Sequence, residues 1–139
     1  MREILFRGKR VDNDEWFYGV PTIDSRGQTV IVENVFDCDE YNCRGASCLY
    51  VDENTIGQYT GLTDKNGTKI FEGDIIKYKN TDGIKFNGVA LTVIGKVVYN
   101  EKNASFAISG KDEIGAKHYD YFPIKNIEVI GNIHDTPNC

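Results

Sequence analysis

Apolar residues in this chain come in short runs of four to eight, broken by glycine, asparagine and aspartate, and no window sustains a 3.6-residue period. Runs of that length, rich in β-branched and aromatic residues and bounded by turn formers, predict strands. Ile4-Leu5-Phe6 and Trp16-Phe17-Tyr18 are joined by the polar segment Lys9 to Asp14 and predict a hairpin. Gln28 to Val35 is a β-branched strand entered through a turn at Arg26-Gly27, while Asp37 to Ser47 reads as an irregular loop. The best helical window, Glu53 to Leu62, is weakened by Gly57 and Gly61, so at most a single turn capped by Asp52 or Thr55 is expected there.

The stretch Ile56 to Tyr78 carries the most explicit turn chemistry. Thr63 to Gly67 is polar, and Asn66-Gly67 suits the positive φ of a tight turn. Gly73-Asp74 then interrupts Ile70-Phe71 and Ile75-Ile76. An aspartate behind such a glycine is read as a turn-bonding residue rather than an acid or base. Beyond it, Asp74–Lys79, Val89–Asn100, Ser105–Ser109, Asp120–Pro123 and Ile127–Ile133 are the expected strands, with Asn80–Gly88 and Gly110–Tyr119 as loops. The expected class is all-β: an N-terminal strand-rich lobe over residues 1–55, then a small SH3-like barrel over 56–139.

The order Ile-Gly-Gln-Tyr-Thr-Gly-Leu (56–62), Asp-Lys-Asn-Gly (64–67) and Ile-Phe-Glu-Gly-Asp-Ile-Ile (70–76) resembles the signature of the YopX-like proteins of bacteriophages and prophages. The opening Arg2 to Arg7 and the close Ile127 to Ile133 share the likeness. What the resemblance implies is a strand-rich phage protein that self-associates. It brings no catalytic residues.

Charge narrows the partners. Of 16 basic and 21 acidic residues, six and eleven fall in Met1–Thr55, and the remainder balance, so the net charge of −5 belongs to the first part. Phosphate binding ordinarily needs a basic face. Lys65, Lys69, Lys77, Lys79 and Lys85 are interleaved with Asp64, Glu72, Asp74 and Asp82, and on that count nucleic acid is not expected. Tyr50, Tyr59, Tyr78, Tyr99, Tyr119 and Tyr121 alternate with lysines, as in single-strand binders, but equally as in a sheet with one wet face.

Candidate chemistry is sparse. Cys38, Cys43 and Cys48 are spaced by four residues and Cys139 stands apart, which is not zinc-ribbon spacing. Free thiols on a loop are expected, with no metal and no cofactor. Asp37, Asp39 and Glu40 lack the alternation of a calcium loop. His118 and His134 form no helical metal pair, there is no phosphate-binding glycine loop, and nothing favours pairing Cys48 with either histidine. Gly57 to Gly61 is read as turns, and Trp16 as a sheet-face residue rather than a ligand platform. No apolar run approaches the roughly 18 residues of a membrane span, and no secretory leader is recognisable, so a cytoplasmic location in the bacterial host is expected. The expected function is non-enzymatic: a self-associating module that binds a host or phage protein. The alternative is a nucleic-acid module using the barrel and its aromatics.

Overall fold

The computed structural model of the chain describes residues 3–33, 37–38, 43–44, 47–86, 89–122 and 124–135, with backbone alone for 37–38, 43–44, 47, 80–86 and 89. It divides into two compact units, Met1–Tyr59 and Thr60–Cys139. Both are antiparallel β structure, and the chain is an all-β protein. No helix among the described residues is long and apolar enough to cross a membrane.

In the first unit, β1 (Phe6–Lys9) and β2 (Trp16–Ile23) form the expected hairpin, and β3 (Thr29–Glu33) pairs with β2. The segment read as a loop holds more order than its composition indicated. It contains the two-residue strands β4 (Asp37–Cys38) and β5 (Cys43–Arg44), which pair with each other, and β6 (Ser47–Tyr50), which pairs with β3. Gly57 and Gln58, at the start of β7 (Gly57–Thr63), pair with Arg7 and Phe6. Gly57 to Gly61 is thus strand rather than turn. The order is β6-β3-β2-β1-β7. A short 3-10 turn, Glu53–Thr55, precedes β7, and its Asp52 cap accepts the Asn54 N–H at 3.0 Å. Thr55 Oγ1 accepts the Lys9 N–H at 2.8 Å, tying that turn to β1. Val30, Ile31, Val51 and Tyr59 form the buried apolar set. Gly8 permits it, because a Cβ there would stand 3.1 Å from the side chains of Ile31 and Val51.

In the second unit, β7 runs on to Thr63 and returns as β8 (Lys69–Phe71). The rest is one sheet of β9 (Asp74–Phe86), β10 (Val89–Asn100), β11 (Ser105–Asp112), β12 (Lys117–Tyr121) and β13 (Glu128–Asn132), in the order β12-β11-β10-β9-β13. Five strands were expected, but as an SH3-like barrel. Among the described residues the sheet is open, with β12 and β13 as its edges, and no barrel closes. Two expected loops are largely strand: β9 continues past Lys79 to Phe86, and β11 and β12 occupy most of Gly110–Tyr119. Alternation along each strand puts Ile76, Tyr78, Val93, Val97 and Ile108 on one face, where they pack with Ile70 and Ile127 into the core. Gly95 and Gly110 face each other in that layer, and a Cβ on either would come within 3.0 Å of the opposite backbone.

One local device recurs at three places among the described residues. In Asp24-Ser-Arg-Gly27-Gln28, Asp64-Lys-Asn-Gly67-Thr68 and Asp112-Glu-Ile-Gly115-Ala116, the glycine has φ between +82 and +87. The aspartate N–H donates to the carbonyl four residues on, and the glycine N–H donates back to the aspartate carbonyl. Each Oδ1 accepts two N–H groups of its own turn. Each Oδ2 is then left to reach a different neighbour. A left-handed residue closing a three-residue loop is a common hairpin solution, and glycine supplies it without steric cost.

Candidate functional site

The second oxygens of those turns lead to the polar centres of both units. Asp24 Oδ2 accepts from the Tyr50 hydroxyl (2.9 Å) and from Arg26 (3.3 Å), whose guanidinium lies 5.6 Å from the Tyr50 ring centroid. The Gln28 N–H, with Tyr50 and Arg26, holds the Asp24 carboxyl down at about 2. Asp64 Oδ2 accepts the Val129 N–H at 3.0 Å and so anchors β13. Burial would raise the Asp64 pKa, but the N–H groups of Val129, Thr68 and Asn66 outweigh it and keep the carboxyl below its usual range.

Asp112 Oδ2 lies 2.8 Å from His118 Nε2, and the other ring nitrogen is 3.9 Å from Asp120 Oδ2. Tyr78 donates its hydroxyl to Asp120. The His118 contact lowers the Asp112 pKa, and burial followed by Asp120 raises that of Tyr78. His118 therefore sits on β12 and partners aspartate, where the sequence placed it in a polar loop. These bonds join β9, β11 and β12 on the core side of the sheet.

Asp74 is 2% exposed and accepts the Phe71 N–H at 2.8 Å and Asn132 Nδ2 at 3.2 Å. It is the turn-bonding residue expected. Trp16 is a sheet-face residue: Arg7 Cζ lies 4.3 Å and Lys9 Nζ 5.3 Å from its ring centroid. Cys48 is a free, exposed thiol on β6. Cys38 and Cys43 are opposite each other in the β4–β5 register, with side chains outside the described residues, as are Asp39, Glu40 and Cys139.

Surfaces stand out more than pockets. On the first unit, cross-strand register aligns Val20 with Val32 and Val32 with Cys48, an apolar row across β2, β3 and β6. Val20 is 50% exposed, and Tyr18 (42%) and Tyr50 (40%) flank the row on the same face. On the second unit, register assembles a different surface opposite the core. Lys77, Ile94, Lys111 and Lys117 form one row across β9 to β12. Ile75, Lys96, Ser109 and Tyr119 form the next, Val98 and Tyr121 flank a buried Ala107 in a third, and Lys79 with Thr92 lies on the other side of the first. A depression of about 440 Å³ there is lined by Ser109, Gly110, Lys111, Lys117, His118 and Tyr119. Of the tyrosines noted in the sequence, Tyr59 and Tyr78 are core, whereas Tyr119 and Tyr121 are both 46% exposed and pack edge to face at 5.5 Å.

Sequence proximity missed this second surface. Lys96, Lys111 and Lys117 come from three strands, and only the period-2 spacing of Lys117, Tyr119 and Tyr121 hinted that they share a face.

A two-unit, all-β chain built on glycine-closed hairpins is the class that fold and surfaces define. The chain matches the family described as YopX protein over residues 5–139, nearly its whole length, and it belongs to that family. No curated protein matches it.

Proposed function

We propose that the chain is a non-enzymatic binding module of phage or prophage origin, working in the host cytoplasm, that associates with a second copy of itself and with a further protein. The carrying observation is the Val20–Val32–Cys48 row, exposed at Val20 and Cys48 and half-buried at Val32, with Tyr18 and Tyr50 beside it. Scattered apolar residues are normal on a surface, but a contiguous row flanked by tyrosines has the composition of an interface centre. The row ends on β6, an edge strand whose outer side, among the described residues, is met at its end by the Val11 N–H on the Tyr50 carbonyl at 3.2 Å and is otherwise open. An open edge beside an apolar face can extend its ladder into another copy and bury the face in the same step. Phage origin is supported by the likeness of residues 56–76 to the phage signature. The non-enzymatic reading is supported by the titratable groups: Asp64 and Asp74 bind turns, and Asp112, His118 and Asp120 bridge strands.

Light scattering tests the self-association at about 50 μM, well above a dissociation constant of order 1 μM. A dimer or larger mass is expected, and Val20→Asp should reduce it to a monomer that keeps the parent's circular dichroism. A monomer mass for the parent overturns the reading.

A further inference from the structure

We infer that the solvent face of the five-stranded sheet in the second unit is a binding surface for single-stranded nucleic acid. This departs from the expectation drawn along the sequence, and the reason is geometric. Between Thr60 and Cys139 lysines and acids balance ten to ten, but the pleat separates them. Lys77, Lys79, Lys96, Lys111 and Lys117 all point to the face away from the core. Asp74, Asp112 and Asp120 are on the core side, and Asp64 is buried in its turn. Among the described side chains, the acids beside the lysine rows include Glu128, opposite Lys77 in the β13–β9 register and 3.4 Å from Lys65, and Glu113, which accepts the Thr92 N–H at 2.8 Å beside Lys79. Among the described residues, Lys96, Lys111 and Lys117 form no ion pair.

Two details point to a nucleic acid rather than to a generic anion. Lys111 and Lys117 are directly opposite each other in the β11–β12 register, and like charges so placed destabilise a strand pair. A ligand carrying regularly spaced negative charge removes that repulsion. Beside them, Tyr119 and Tyr121 present half-exposed rings on an edge strand, next to the depression that Lys111, Lys117 and Ser109 line. Aromatic rings beside a cationic track are how sheets hold single strands: bases stack on the rings while lysines follow the phosphates. The row from Lys77 to Lys117 crosses three strand spacings, about 14 Å, which is room for several nucleotides. A duplex offers no unstacked base to the tyrosines and should bind more weakly.

The test is fluorescence anisotropy with the full chain and labelled oligothymidine of about 20 nucleotides, long enough to span one such site. Five phosphate contacts on a single strand give a log–log salt slope of about −3.5, a loss of roughly 100-fold between 50 and 200 mM salt. Lys111→Glu is the decisive variant, since it converts the opposed lysines into an opposite-charge pair. It should melt at or above the parent temperature yet bind at least about tenfold more weakly, an outcome that a purely structural role for Lys111 would not produce. Tyr119→Ala should lose roughly 5- to 100-fold and Tyr119→Phe should restore binding, because stacking needs the ring and not the hydroxyl. Lys125→Glu, in the exposed turn before β13, should change binding less than about twofold. No anisotropy change up to about 50 μM protein at 50 mM salt overturns the proposal. So does undiminished binding by Lys111→Glu. Equal affinity for polyglutamate or for the matching duplex overturns it as well, because either removes the role given to the bases.

Discussion

Replacing Asp64 with alanine removes one carboxylate that holds three backbone N–H groups, those of Asn66 and Thr68 within the turn and that of Val129 on β13. The residue is 7% exposed, and water cannot readily replace all three bonds. A net hydrogen bond is worth about 1 kcal/mol, more when the acceptor is charged, so a loss of about 3 kcal/mol is expected. The turn itself keeps its main-chain bonds, Asp64 N–H to Thr68 and Gly67 N–H to Asp64, which limits the damage. Asp24→Ala and Asp112→Ala provide internal comparisons. They remove the same pair of turn bonds and leave the β13 anchor intact; the further bonds lost are to the exposed Tyr50 and Arg26 side chains at Asp24 and to His118 at Asp112, so Asp24→Ala in particular should cost less than Asp64→Ala. Urea unfolding followed by intrinsic fluorescence gives the differences at constant slope. If Asp64→Ala unfolds at the same urea concentration as Asp24→Ala, the bond to Val129 contributes no more than the exposed Tyr50 and Arg26 bonds lost with Asp24, and β13 is held chiefly by its ladder.

Gly73→Val should destabilise by about 1–3 kcal/mol in the same assay, because φ is +91° there and a β-branched residue is strained at that angle even though the nearest atoms leave room at 3.6 Å. At Gly67, φ +82°, an added Cβ meets nothing within 4 Å, so a valine there reports chiefly the backbone strain. Acid should weaken the fold through the turn aspartates. Asp24 titrates near 2, against about 3.9 when unfolded, so its contribution is present above pH 4 and lost as the pH falls towards 2, with Asp64 and Asp112 shifted the same way. A urea midpoint that stays level from pH 5 to about pH 2.5 would contradict that linkage.

What the sequence discloses and what it hides divide along a physical line. The hairpin turns at Gly27 and Gly67 were legible because turn chemistry is local: aspartate, two polar residues and glycine act on their own backbone. The strand cores were legible from β-branched runs, Val89–Asn100 most completely. Of β12 only the end, Asp120 and Tyr121, fell within an expected strand, because Lys-His-Tyr-Asp-Tyr carries no β-branched residue and is held by pairing with β11 and by the contacts of His118 and Asp120. The polar end of β9 was hidden for the same reason, since its pairing comes from β10. Sheet closure depends on long-range stagger between strands, which no local pattern records, and the expected barrel is an open sheet. The two binding surfaces depend on register. A shift of one residue in β11 would turn Lys111 to the core face and Asp112 outward, and register is fixed by partners far away in the chain.

The self-association through the apolar face of the first unit is tested most directly by hydrogen exchange at two protein concentrations, about 1 μM and about 100 μM, since association slows exchange only where the interface forms. Amides in residues 47–50 of β6, and those around Tyr18 and Val20 on β2, should exchange more slowly at the higher concentration, while those of β12 and β13 keep their rates. Protection that is independent of concentration throughout residues 16–50 would contradict the account.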